Sequence, residues 1–240
     1  MNQANVSARP GVQTLRSSKI REIANAVEGR PDVLPFWFGE PDEGTPAYIT
    51  RAAIEALEHG DTFYVQTHGM PVLREAIARY LLGLHGQPVD VSRIAVTSSG
   101  TSGLMLALQA VVTPRDRVVA VTPLWPNLVE MPRLLGASVE TVALRFDGGW
   151  RLDLGQLLQS LTPGTRALLI NSPNNPTGWT LSAAEQQAIL AHCRERGIWI
   201  IADDVYERLY FQGRVAPSFL DIAQPHDRLI SSNSFSKAWR

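Results

Sequence analysis

Lys237 lies in SSNSFSKAWR (231–240), behind a short apolar run and among hydroxyls. A lysine amine in a closed site can bond covalently to a carbonyl or act as a base at carbon. A second apolar run, IWIIAD (198–203), delivers Asp203 and then Asp204, with Tyr206 three residues after Asp203. A carboxylate ending a buried strand is costly unless it meets a cation or several donors. NSPNNPTG (171–178) follows a further apolar run and offers the amide of Asn175, although Asn, Pro and Gly are also ordinary turn residues. TPLWPN (122–127) holds Trp125 between two prolines, where an indole serves either as core or as a plate for a flat ligand. TSSGTSG (97–103) opens a helical pattern, and its small residues let backbone N–H groups approach an anion at a helix start. Each cluster has a plain structural reading, and lysine is most often a solvated surface charge. Together they put an anion cradle, an aromatic plate, an amide, a carboxylate, a phenol, a hydroxyl and an amine at successive strand ends. That set suits a flat, phosphorylated, positively charged ring held by a covalent bond.

The elements that must position these residues follow from hydrophobic periodicity. The first thirty residues are polar and read as an arm. A helix is expected from Thr45 as cap and Pro46 as first helical residue, with Ile49, Ala53, Ile54 and Leu57 on one face. PVLREAIARYLLGLHG repeats that pattern through Leu73, Ile77, Tyr80 and Leu81, stopping at Gly83 or Gly86. Strands are expected at RIAVT (93–97), RVVAVT (117–122), SVETVAL (138–144), RALLIN (166–171), IWIIAD (198–203) and RLISS (228–232). Helices are expected through 104–112 and near 153–161 and 182–196. Several strand runs are continuously apolar, which suits a largely parallel sheet covered on both faces. Strand–helix alternation is the α/β signature, and such sheets bind ligands beyond the carboxyl ends of their strands.

Composition excludes several function classes. The 22 basic and 23 acidic residues leave a formal net charge of −1, so no basic field marks a nucleic-acid or membrane partner. No stretch has signal-peptide or transmembrane length and apolarity. The single Cys193 cannot form an internal disulfide, which points to a reducing, cytoplasmic setting. NVS at Asn5 fits the glycosylation pattern, but without a secretion signal it reads as chance. The five histidines lack metal-ligand spacing, so no metal site is expected.

From about Phe36 onward the sequence resembles the fold-type I, pyridoxal-phosphate-dependent class I/II aminotransferases. GEPD, TFYVQTHGMPVLREAIA, VTSSGTSGLMLAL, NSPNNPTG, ADDVYE and SFSK stand in the family's order and spacing. The resemblance implies a three-layer sandwich with a mostly parallel central sheet and pyridoxal 5′-phosphate as cofactor. It implies a Schiff base on Lys237, Asp203 at the pyridine nitrogen, and Asn175 and Tyr206 at the phenolic oxygen. Trp125 would stack on the ring, in a segment close to the aspartate-type version. Gly100, Thr101 and Ser234 would bind the phosphate, and Gly39 would line the substrate loop. Tyr64 matches a tyrosine that reaches the neighbouring subunit's phosphate, so a homodimer with shared active sites is implied. The implied reaction is transamination between an L-amino acid and a 2-oxo acid. Asp204 matches no cofactor role and reads as a partner for the surrounding loop.

The chain departs from the family at its end. Family members continue past the lysine to a phosphate-binding arginine and a C-terminal small domain with a carboxylate-binding arginine. Arg240 is too near Lys237 to be either. The expectation is therefore an N-terminal arm and small-domain segment (1–40), an incomplete cofactor domain (41–240), no C-terminal small domain, and a chain truncated from a longer enzyme. A β-lyase or other elimination on the same cofactor shares all these residues, and an inert fragment is a further alternative. An effector-sensing domain of a transcription regulator would need a basic DNA-binding unit, for which the arm is too short. The aromatics of FWFGEPDEG (36–44) suit either an apolar substrate or simple packing.

Overall fold

The computed structural model describes residues 7–15 and 17–239; Asn5 and Arg240 lie outside them. The arm holds two helices, α1 (Pro10–Gln13) and α2 (Lys19–Ala26), the second started by the Ser18 hydroxyl accepting the Arg21 N–H. The next two are α3 (Ala47–Glu58) and α4 (Pro71–His85). Pro46 is the cap of α3 rather than its first residue, one position later than the Thr45–Pro46 expectation. α4 runs through Gly83 and stops at Gly86, where φ of 71° is left-handed and glycine carries no Cβ penalty. RIAVT forms no strand. A 3-10 turn covers Val91–Arg93, after which Val96 N–H bonds the His68 carbonyl and the Ile94 carbonyl takes the Arg74 guanidinium. Loop and side-chain partners stand where a neighbouring strand would be needed.

From α5 (Gly100–Val111) onward strand and helix alternate. The order is β1 (Arg117–Thr122), α6 (Pro126–Leu134), β2 (Ser138–Ala143), then a short hairpin of β3 (Arg145–Phe146) and β4 (Trp150–Arg151). There follow α7 (Leu154–Ser160), β5 (Thr165–Asn171), α8 (Ala183–Arg196) and β6 (Trp199–Asp203). A 3-10 turn at Phe219–Asp221, β7 (Leu229–Ser232) and α9 (Phe235–Ala238) complete it. The helix α6 and the hairpin lie outside the expected set, and α6 holds Pro132 in its interior, which breaks the helical signal. The main sheet runs β2-β1-β5-β6-β7 with every neighbouring pair parallel.

Alternate residues of each central strand serve opposite layers. Val119, Val121, Leu168, Ile170 and Ile200 pack with Leu157 of α7 and Ile189 of α8. Val118, Ala120, Leu169 and Ile201 pack with Leu108 of α5 and Leu128 of α6. The result is an α/β three-layer sandwich, and two buried faces explain why these runs are apolar at every position. Chain order reverses between β1 and β5, and in open α/β sheets the crevice beyond such a switch point is where ligands bind.

Candidate active site

Parallel register brings Asn171, Asp203 and Ser232 side by side at the carboxyl edge of β5, β6 and β7. Asn171 ties two of the loops together: its amide donates to the Asp203 carbonyl at 2.9 Å, and its oxygen accepts the Asn175 N–H at 2.8 Å. The Asp203 residue is 7% exposed, and its carboxylate receives a long 3.4 Å hydrogen bond from Val205 N–H. Burial pushes its pKa up to about 6, with that N–H pulling weakly the other way. The neighbouring Asp204 turns inward instead. It accepts the Ser231 hydroxyl at 2.5 Å, and burial raises its pKa to about 7 against that bond, helped by the charges of Glu207 and Asp203. Its partner is thus a strand residue rather than the loop.

Lys237 Nζ donates to the Gly39 carbonyl and sits 5.9 Å from the centre of the Tyr206 ring. A Cβ at Gly39 would lie 3.8 Å from Tyr206 Oη and 3.9 Å from Lys237 Nζ, so these three residues share one small space. Asn175 Nδ2 donates to Tyr206 Oη at 3.3 Å. That leaves the phenol free to donate its own proton. Burial raises the Tyr206 pKa, Asn175 works against the rise, and the Asp203 charge adds to it. The arm packs on the residue before Gly39, with Arg21 of α2 over the Phe38 ring at 4.5 Å.

A second cluster forms where two helix starts meet. Ser99 caps α5 and Ser234 caps α9, each hydroxyl accepting a backbone N–H of its own first turn. A Cβ on Gly100 would come within 3.1 Å of Ser234 Cβ, so only glycine lets these turns approach this closely. Thr101 follows, exposed, in the first turn of α5. Trp125 is half-buried at the start of α6 beyond β1, packed against the α5/α6 layer. Tyr64 is not brought to this site within the chain: its side chain is fully exposed, at 107%. Pattern reading missed Asn171, whose type is common in turns, and the buried Glu207 discussed below.

The fold and this edge of the sheet define an α/β domain with a polar crevice at the carboxyl ends of its strands. The chain belongs to the aminotransferase class I and II family, which matches residues 31–240. It is 33% identical over 219 residues to an arginine–pyruvate transaminase of Pseudomonas aeruginosa, covering 91% of this chain and 55% of that protein. It is 31% identical over 228 residues to an aspartate aminotransferase of Pyrococcus horikoshii, covering 95% and 58%. Among solved structures it superposes on aspartate aminotransferase from Thermus thermophilus with maleate at a TM-score of 0.88 and 31% identity, covering 97% of this chain and 61% of that one. N-succinyldiaminopimelate aminotransferase from Mycobacterium tuberculosis gives 0.78 at 34% identity, covering 84% and 53%. The chain thus spans between half and two thirds of the length of these relatives.

Proposed function

We propose that this chain carries the cofactor half of an aminotransferase that uses pyridoxal 5′-phosphate to move an amino group between an L-amino acid and a 2-oxo acid. The observation that carries the reading is Asp203. A buried carboxylate at a strand end, with one weak donor and a raised pKa, is suited to a cationic ring nitrogen. The donor set around it agrees: the free Tyr206 proton and the Asn175 amide for a phenolic oxygen, the meeting helix starts at Gly100, Thr101 and Ser234 for a phosphate, and the Lys237 amine for an aldehyde. When bound, the cofactor supplies the electron sink that protein side chains lack.

The residues then divide the work. Asp203 would keep the opposing nitrogen protonated. Tyr206 and Asn175 would orient the group in front of Lys237, whose amine is placed to take the proton from the substrate Cα and hold it for return to the carbon on the far side of the amino nitrogen. Gly39 lies beside the amine, with its carbonyl accepting from Nζ. Trp125 covers a face of the ring. Residues 41–240 form the cofactor domain, and 1–40 supply the arm and the loop beside the substrate.

A homodimer with shared sites is supported by the full exposure of Tyr64 beside exposed Phe63 and Val65. Among the described residues no helix is long and apolar enough to cross a membrane. The lone buried thiol of Cys193 supports a cytoplasmic setting. The test is a half-reaction. The cofactor-loaded protein is mixed with a panel of amino acids, and bleaching of its visible band is followed. Recovery of the band on adding a 2-oxo acid supports transamination; turnover that releases an oxo acid with no acceptor present would replace it with elimination.

A further inference from the structure

Behind the lysine turn lies an enclosed polar cluster that none of these roles uses. His85 is the last residue of α4, and its side chain is 1% exposed. Its Nε2 stands 3.2 Å from Glu207 Oε2 and its Nδ1 2.8 Å from Asp221 Oδ1. A neutral imidazole has one N–H and could serve only one of these carboxylates. Acceptors at both ring nitrogens therefore require the doubly protonated cation, which the C-terminal end of α4 also favours. Burial opposes the charge, but hydrogen bonds to Asp221 and Glu207 outweigh it and the ring pKa rises to about 9. The other titratable groups facing the cluster among the described residues are Asp204, Tyr80, whose hydroxyl is 3.5 Å from Glu207 Oε1, and Arg208, which hydrogen-bonds Tyr80.

Glu207 leads from this cation back to the site. Its Oε1 accepts from Asn233 Nδ2 at 2.7 Å, and Asn233 Oδ1 accepts the Ser234 N–H at 2.7 Å. Ser234 caps the turn that carries Lys237 and abuts Gly100. On the far side of that turn, Trp239 packs edge-on against Tyr80 of α4 with ring centres 5.5 Å apart. α4 therefore grips the segment before and after the lysine. We propose that the His85–Glu207 pair is a positioning device for the Ser234–Lys237 turn, acting through Asn233 and assisted by the Tyr80–Trp239 contact. The inference rests on reading that turn as part of the cofactor site. Buried ion pairs add little net stability, but a broken one leaves a charge uncompensated, so the pair holds geometry better than it holds the fold.

The test uses the 240-residue chain, with hydrogen exchange at the Ser234 amide as a readout that needs no cofactor. Asn233→Ala acts at an exposed residue and is expected to keep the fold. It is expected to speed Ser234 exchange and to weaken pyridoxal phosphate binding, each about tenfold, with little change in melting. Glu207→Ala is expected to do the same and to lower the melting point. Glu207→Gln keeps an oxygen for Asn233 but removes the charge that pairs with His85, so it should recover only part of both readouts, with the His85 ring titrating lower than in the parent by NMR. Full recovery would show that the pair itself does not position the turn. The proposal is overturned if Asn233→Ala leaves exchange and binding within about twofold of the parent. It is equally overturned if Glu207→Ala lowers melting alone. A parent chain that takes up no pyridoxal phosphate would sink the functional reading, and the exchange data would still decide this one.

Discussion

At the scale of single residues, Asp203 states the conflict between stability and function most clearly. Its folded pKa, about 6, is above the ordinary 3.8, so between those values the folded chain holds the proton more tightly than the unfolded one. Its stabilising contribution is therefore present below 3.8 and lost as pH rises through about 6, a penalty on the order of 3 kcal/mol for the cofactor-free protein at neutral pH. Asp203→Asn should raise the melting point at pH 7.5, leave it little changed at pH 4, and weaken pyridoxal phosphate binding more than about tenfold. Scanning calorimetry at the two pH values checks the first part; a lower melting point at pH 7.5 would mean the carboxylate is already well satisfied. Asp203 was legible because a charge that ends a run as apolar as IWIIAD demands a partner. Glu207 was not, because its polar neighbours give no sign that it is buried.

At the scale of elements, the parallel strands were legible because both faces are covered, which leaves runs such as RALLIN without a polar position. RIAVT is similarly apolar, yet His68 and Arg74 occupy its hydrogen-bonding groups, and composition carries no record of partners. α6 was hidden by its prolines. The boundary of α8 was plain, since Ser182 and Glu185 form a reciprocal capping box. Ser182→Ala should cost about 1 kcal/mol in denaturant unfolding and leave cofactor affinity unchanged, because the side-chain hydrogen bonds of Ser182 all run to Glu185 of its own helix. Gly100→Val should do the reverse. Its added carbon meets Ser234 within 3.1 Å, so the two turns must separate and pyridoxal phosphate binding should fall well before stability does. Equilibrium titration beside thermal melts separates the two effects.

At the scale of the whole molecule, the sheet is covered on both faces, whereas much of the segment before residue 97 carries exposed apolar side chains. Leu57, on the apolar face expected of α3, is 65% exposed, and Phe36, Phe63 and Tyr64 stand in solvent. Periodicity marks that face but carries no record of what covers it. If a second copy does, sedimentation should show concentration-dependent dimers, and Leu57→Glu with Ile54→Glu should shift them to monomers without unfolding the sheet. A strictly monomeric parent chain would remove the shared-site reading of Tyr64. The most direct measurement of the central claim is borohydride reduction of the chain with pyridoxal phosphate, followed by peptide mass mapping. The account predicts a visible absorption band and one reduced adduct, on Lys237, lost in Lys237→Ala. Adducts scattered over surface lysines, with no band, would contradict it.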